Sequence, residues 1–460
     1  MSRVVLVSNR VLDPTKASRA GGVPVVLANI ARAREVLWFG WNGEVKPAGE
    51  ADLVARKGRI ATTSLSETEY ARYYLGYANS VLWPVFHNRL DLAKFEAGFF
   101  QHFVEVNRRL AGLLLPMLAP DDLIWVHDYE LIPFAAELRR HGVENPIGFF
   151  LHIAFPPWQT FMAVPEHKEL ARALAAYDLI GLQTTADVAN LFNYMSQGAY
   201  GRVVPDGRIR VFQRLVSIAS FPVGIDLTDF AKVKRASGLE QSRSSVSRIV
   251  GVDRLDYTKG LPQKFKAFGR FLDRYPQYWR QVVLTQIAPP TRENVEGYSD
   301  IRRELESLAG SINGRLGELD WVPIHYIYRS TPRRTLADIY RSSRVCMVTP
   351  LRDGMNLIAK EYVAAQDAAD PGVLILSQFA GAAEEMTDAL IVNPYSIEET
   401  AEVIRDALEM SLPERCDRHA ALLAGVQKHD AAAWLHSFLE RLKRVSNAPL
   451  ELRTPSRSSS

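Results

Sequence analysis

Two cations, Arg254 and Lys259, lie in the run Val252-Asp253-Arg254-Leu255-Asp256-Tyr257-Thr258-Lys259-Gly260. An apolar strand pattern precedes this run and a helical pattern follows it. A guanidinium and an ammonium on one loop suit a diphosphate, which they can hold and then neutralise as it departs. Two surface charges are the plainer alternative, but the flanking strand and helix argue against a fully solvated pair. A matching run, Thr349-Pro350-Leu351-Arg352-Asp353-Gly354-Met355-Asn356-Leu357-Ile358-Ala359-Lys360-Glu361, follows the apolar stretch ending at Val348. A helix opens near Asn356, and its N-terminus can face an anion. Glu361 lies further into that helix, where a carboxylate can accept from ribose hydroxyls. Taken alone, Asp353 also reads as a helix cap and Glu361 rather as a surface charge.

The first half has its own candidates. The opening apolar run ends in Ser8-Asn9-Arg10, and Gly21-Gly22-Val23 opens a helical pattern. Paired glycines at a helix start let a diphosphate approach backbone N–H groups; a plain tight turn would look the same. His127 and Asp128 follow the apolar run Leu123–Val126, and His152 ends the run from Ile147. One such histidine reads as a satisfied core residue. Several at equivalent strand ends point towards a site. Neither G-x-x-x-x-G-K-[ST] nor a strand-linked G-x-G-x-x-G occurs, which weighs against a P-loop NTPase or the usual dinucleotide fingerprint.

These residues need elements to hold them. Short apolar runs at Val4–Ser8, Leu123–His127, Ile147–Ile153 and Leu179–Gln183 alternate with helical patterns. They suit parallel strands buried on both faces. The chain turns polar from Asp226 to Arg248, as at a domain boundary. The series then restarts at Arg248–Val252, Gln281–Ile287, Ile324–Tyr328, Val345–Val348, Val373–Leu376 and Leu390–Val392. Between the first two of these, Phe265, Phe268 and Leu272 share one face of a helix predicted over Pro262–Tyr275. The pattern predicts an α/β chain of two doubly wound domains in series. Ligands of such sheets bind outside the carboxyl ends of the strands.

With 460 residues, two large domains fit the chain. A formal charge of +3 leaves no bulk field for nucleic acid, so no nucleic-acid partner is expected. The two cysteines, Cys346 and Cys416, can build neither a disulfide framework nor a zinc site, which favours a reducing compartment. No apolar run is long enough for a membrane span or a signal sequence, so a cytoplasmic enzyme without a membrane partner is expected.

Several runs together resemble the trehalose-6-phosphate synthase family, retaining glycosyltransferases of family 20. They are Ser8-Asn9-Arg10, Gly21-Gly22, Trp38-Phe39-Gly40-Trp41, His127-Asp128-Tyr129, Gly148-Phe149-Phe150-Leu151-His152, Arg254 to Gly260 and Arg352 to Leu357. Glu361-Tyr362-Val363-Ala364-Ala365-Gln366 and Leu376 to Ala383 continue the likeness, which runs from residue 3 to about residue 445. The resemblance implies the GT-B fold, two facing Rossmann-like domains with an inter-domain active-site cleft. It implies transfer of glucose, with retention, from UDP-glucose to glucose 6-phosphate, with no metal and no cofactor in the chemical step.

By resemblance, Gly21 and Gly22 lie against the donor and His152 beside the transferred glucose. Arg254 and Lys259 hold the diphosphate and are catalytic in the electrostatic sense. Asp353 contacts the donor sugar, Gly354, Met355, Asn356 and Leu357 complete the donor loop, and Glu361 takes the ribose. Arg10 and Arg292 bind the 6-phosphate, while Tyr74, Trp83 and Asp128 shape the acceptor pocket. The implied division is 1–226 for the acceptor domain, 227–400 for the nucleotide-sugar domain, 401–445 for C-terminal helices packing back towards the first domain, and 446–460 for a disordered tail. No Asp-x-Asp motif follows the second domain, so a separate phosphatase would act on the product; a homo-oligomer stays open.

The chain departs from the family pattern at Glu130, where the family usually has His, at Ala154, where it has Pro, and at Thr331, where an aromatic often sits near the base. None removes a charged or catalytic group; Ala154 loosens the loop after His152, and Thr331 leaves nucleotide preference open. Related enzymes with other phosphorylated acceptors, the glucosylglycerol-phosphate synthases and pseudo-glycosyltransferases, are the nearest alternative. A catalytically silent subunit would have lost Arg254, Lys259, Asp353 or Glu361, and all four are present.

Overall fold

The computed structural model describes residues 2–11, 26–28, 35–52, 54–228, 246–291 and 296–446. They form two units. One takes the chain through Pro222 and again from Trp434; the other is Val223–Ala433. The expected donor glycines Gly21 and Gly22, the expected phosphate ligand Arg292, and nearly all of the expected tail lie outside the described residues.

The strands of the first unit are β1 (Val4–Arg10), β2 (Val36–Lys46), β3 (Ala55–Lys57), β4 (Ile60–Ser66), β5 (Leu123–His127), β6 (Ile147–Phe150), β7 (Leu179–Leu182), β8 (Arg202–Val203), β9 (Ile209–Val211) and β10 (Arg214–Ser220). They lie in the order β3-β4-β2-β1-β5-β6-β7-β10-β9-β8. Neighbours from β4 through β10 are parallel, and the strands at both edges are antiparallel. Every residue of β5, β6 and β7 is buried, as central parallel strands require.

β6 stops at Phe150, short of the Ile153 that its apolar run suggests. The chain leaves the ladder there because Asp128 Oδ1 accepts the backbone N–H of His152, at 3.2 Å. β2 and β4 were not legible as strands: the second half of β2 is polar and its Gly43 adopts a φ of +89°.

The C-terminal segment divides. Helices Ile397–Glu409 and Leu412–Lys428 belong to the second unit, and only the last, Ala431–Ser446, joins the first unit from Trp434 onward. That last helix buries Trp434, Leu435, Phe438, Leu439 and Leu442, an apolar stripe at helical spacing. Phe438 stacks on Trp125 of β5, ring centroids 4.4 Å apart and planes 13° apart. It fits over Gly148 of β6, where a Cβ would sit 2.7 Å from its ring.

The second unit has β11 (Ser247–Val252), β12 (Val282–Ile287), β13 (Ile324–Ile327), β14 (Val345–Val348), β15 (Val373–Ser377) and β16 (Leu390–Val392). They run β13-β12-β11-β14-β15-β16, all parallel. Strand order therefore reverses at β11 and β14, the position where ligands enter open α/β sheets. The helix predicted over Pro262–Tyr275 is Leu261–Arg274, with Phe265, Phe268 and Leu272 buried. Among the described residues no helix is long and apolar enough to cross a membrane.

Phe438→Ala should therefore destabilise the first unit by about 3–5 kcal/mol, the cost of emptying a large aromatic site. Gly148→Ala should act in the same direction by about 1–3 kcal/mol through overpacking. Denaturant titration of each variant checks both; an unchanged midpoint for Phe438→Ala would show that the last helix does not seal this sheet.

Candidate active site

The second unit places two loops side by side at its switch point. Loop 253–260 follows β11, loop 349–356 follows β14, and Leu351 N donates to Thr258 O at 2.8 Å. Gly260 has φ +64°, and a side chain there would run into the Thr349 carbonyl. The glycine thus permits the close approach of the two loops. Two buried carboxylates brace the first loop. Asp253 Oδ2 accepts from Lys264 Nζ at 2.7 Å, and Asp256 accepts from the backbone and hydroxyl of Thr258 and from Tyr298.

Lys259 and Asp353 meet across the loops, Nζ to Oδ2, at 2.5 Å. The same Oδ2 accepts from Asn356 Nδ2 at 3.0 Å. Asp353 is not the helix cap. That role belongs to Asn356, at φ +80°, whose side chain accepts from Ala359 N at the start of helix Leu357–Ala365. Gly354, Met355 and Asn356 are buried beneath Asp353, and Leu357 opens the helix. Glu361 is not a surface charge: it is 4% exposed, and Arg333 Nη2 reaches its Oε1 at 3.5 Å. Arg254 is exposed on the same loop as Lys259. Two cations, an oriented carboxylate and a helix N-terminus so arranged can bind a diphosphate and the sugar it carries.

The first unit gathers its candidates at the carboxyl ends of three adjacent parallel strands. Arg10 ends β1, Asp128 follows β5, and His152 follows β6, with Ser8 paired to His127 and His127 to Phe150 in register. Arg10 is exposed, and its guanidinium lies over Trp41 at 5.3 Å from the ring centroid. Gly43, in the left-handed region, leaves room for it, because a Cβ there would occupy the guanidinium's position. Trp41 meets Tyr74 edge-on at 5.3 Å. Arg10, Trp41 and Tyr74 so form one cationic and aromatic corner. Trp41 was missed as a site residue, although its run was noted.

Asp128 holds φ +77°, a conformation costly for a non-glycine residue and typical of sites. Its Oδ1 accepts from the N–H groups of both Tyr129 and His152. Trp83 is buried and packs near Tyr129, 5.9 Å between centroids, so it supports the Asp128 turn from below. Tyr74 sits in an unusual π-helix, Tyr70–Leu82, where Asn79 Nδ2 donates to its carbonyl at 2.6 Å. Glu130 is buried, and its Oε1 accepts from Asn9 Nδ2 at 3.3 Å. His127 Nδ1 and His152 Nε2 share a hydrogen bond of 3.1 Å. Burial lowers His152 to about 3, and burial together with the neighbouring His152 holds His127 well below 6.5. Both imidazoles are thus neutral at ordinary pH. Among the described residues no group of three His, Cys, Asp or Glu could hold a metal ion.

Comparison with known proteins follows the same lines. The family model for glycosyltransferase family 20 matches residues 8–444. A trehalose-6-phosphate synthase of Klebsiella pneumoniae is 44% identical over 455 residues, covering 97% of this chain and 96% of that protein. Among solved structures, an alpha,alpha-trehalose-phosphate synthase (UDP-forming) from Burkholderia xenovorans in complex with glucose-6-phosphate superposes with a TM-score of 0.92 at 43% identity, covering 96% of this chain and all of that one. An Escherichia coli structure bound with UDP-2-fluoro glucose gives 0.90 at 44% identity, covering 96% of this chain and 99% of that one.

The neutral histidine pair makes a pH dependence of stability. Unfolded histidines take up protons as pH falls through 6.5, whereas folded His152 resists until about 3. Below 6.5 the unfolded state binds more protons, so the contribution is whole above that pH and is lost as pH falls towards 3. The unfolding free energy of the wild type should fall more steeply over this window than that of His152→Gln. Denaturant titrations at a series of pH values measure the difference, and parallel curves would contradict a buried neutral His152.

Proposed function

The chain belongs to glycosyltransferase family 20, and from that premise we propose that it is a retaining glucosyltransferase making α,α-trehalose 6-phosphate from UDP-glucose and glucose 6-phosphate. Its two parallel-sheet units are those of the GT-B fold. The observation that carries the donor side is the Lys259–Asp353 pair beside the N-terminus of Leu357–Ala365, with Glu361 buried in the same helix. On the acceptor side it is the Arg10, Trp41 and Tyr74 corner.

On this reading Arg254 and Lys259 hold the diphosphate, Asp353 orients the donor sugar, and Glu361 takes the ribose hydroxyls. The turn from Gly354 to Leu357 lies against the phosphates, and Gly21 and Gly22 against the donor. Arg10, with Arg292, binds the 6-phosphate, while Tyr74, Trp83 and Asp128 shape the acceptor pocket and His152 meets the transferred glucose. The bond from the glucosyl anomeric carbon to the diphosphate oxygen breaks. A bond to the anomeric hydroxyl oxygen of glucose 6-phosphate forms on the same face. The hydroxyl proton passes to the departing oxygen, so no side-chain base is needed. The protein supplies orientation and charge stabilisation, without metal or cofactor. The same reading has the enzyme work in the cytoplasm and hand its product to a separate phosphatase.

Purified protein offered UDP-, ADP- and GDP-glucose, each with glucose 6-phosphate or glycerol 3-phosphate, tests this directly. Mass spectrometry should find a disaccharide phosphate from UDP-glucose and glucose 6-phosphate. Turnover with glycerol 3-phosphate alone would overturn the acceptor assignment. Arg254→Ala should lower kcat by about 10²–10³-fold, as loss of one charge-stabilising donor does.

Arg10→Ala has a different signature. A phosphate far from the reacting carbon is bound equally in ground and transition states, so KM for glucose 6-phosphate should rise with kcat little changed. Loss of one charge-assisted contact corresponds to about 10–100-fold in KM. Steady-state kinetics with varied glucose 6-phosphate would show it, and an unchanged KM would remove Arg10 from the phosphate site.

A further inference from the structure

Among the described residues, the buried ring nitrogens Trp125 Nε1, His127 Nε2, His152 Nδ1 and Trp434 Nε1 of the first unit have no hydrogen-bond partner. Their rings form one cluster. Trp125 lies 4.5 Å from His127 and 4.9 Å from Trp434, and Trp434 lies 6.2 Å from His127 and 6.0 Å from His152, between centroids. β5 supplies Trp125 and His127, the turn after β6 supplies His152, and the last helix brings Trp434 to them.

The hydrogen bond joining His127 Nδ1 and His152 Nε2 carries one proton between two neutral rings, so one nitrogen donates and the other accepts. The surroundings of His127 decide which. Its other nitrogen, Nε2, shares the cluster with two indoles, and an indole N–H can only donate. A lone pair on Nε2 complements those donors. An N–H on Nε2 would add another donor without an acceptor to a buried cluster that already holds the indole N–H of Trp125, whose ring lies 4.5 Å from that of His127, at a cost in low dielectric. The proton of His127 therefore belongs on Nδ1 and is donated to His152 Nε2. That leaves His152 protonated on Nδ1.

The backbone of His152 is fixed as well. Its N–H goes to Asp128 Oδ1 at 3.2 Å, and its carbonyl accepts from the buried Gln183 Nε2 at 3.4 Å. Nδ1 is the one polar atom of His152 left for a ligand among the described residues. We infer that His127 is a positioning residue: by donating Nδ1–H to His152 Nε2, it locks His152 as a hydrogen-bond donor aimed at a hydroxyl of the transferred glucose. The donor-only indole of Trp125 beside His127 favours that direction, because it leaves a lone pair on His127 Nε2. The inference rests on the placement of His152 against the transferred sugar proposed above.

The test separates the two claims. In protein labelled with 15N in its imidazoles, long-range 1H–15N spectra report the tautomer of each buried histidine. The expected result is Nδ1–H for His152 in the wild type; Nε2–H there overturns the inference without any variant. His127→Asn places an amide N–H where Nδ1 was and should preserve the Nδ1–H form. His127→Asp can only accept and should reverse it, and an unreversed tautomer in that variant also overturns the inference. With UDP-glucose and glucose 6-phosphate, kcat of His127→Asn should exceed that of His127→Asp by about 10–100-fold, the usual cost of losing an orienting partner. KM for glucose 6-phosphate should be shared by the two. If the tautomers behave as stated but kcat does not separate the variants, the locking stands and the placement of His152 against the sugar fails.

Discussion

The ion pair of Lys259 with Asp353 holds the second unit's site together. It joins two loops that leave adjacent strands, and it forms only because Gly260 lets one backbone touch the other. Both side chains are largely shielded, 11% and 15% exposed. Removing either partner strands the other charge, a loss of about 3–5 kcal/mol for buried pairs. Such a pair is a weak way to stabilise a fold and a strong way to fix the position of a cation. Asn356 and the first turn of Leu357–Ala365 then gather around the same carboxylate. Charge complementarity for a diphosphate follows from that local order.

The first unit solves a different problem. Its candidate residues are held by hydrogen bonds and ring contacts. Burial keeps His127 and His152 neutral, so they act as hydrogen-bonding groups of defined direction instead of as charges. Asp128 accepts the backbone N–H of His152 at the expense of a strained φ, a local cost tolerated where geometry matters. The last helix matters here beyond covering the sheet. Trp434 and Phe438 line the strands that carry both histidines, so chain far along in sequence shapes this site.

Much of this was legible in the sequence, for a physical reason. Central parallel strands are buried on both faces and so read as short apolar runs; β5, β6, β7 and the second sheet stand where such runs stand. Their carboxyl ends are then the natural places to look, which singles out Asp128, His152, Lys259 and Asp353 as candidates, and the structure brings Lys259 to Asp353 and Asp128 to His152. The misses share a cause. β2 mixes polar residues into its second half, so no period marks it, and Trp41 at its bend went unassigned. Taken alone, Glu361 reads as a helix surface charge, because nothing in its neighbours announces the Arg333 that covers it from another helix; only the family resemblance singles it out. Trp434 belongs to an amphipathic stripe that fits any packed helix; only the structure shows which sheet it seals.

Calorimetric titration of UDP into the wild type and Lys259→Gln probes the account most directly, because it measures the diphosphate contact apart from turnover. Affinity should fall about 10–100-fold, as removal of a charge-assisted hydrogen bond implies. Equal affinities would contradict it, and would mean that Lys259 serves only to hold Asp353 in place.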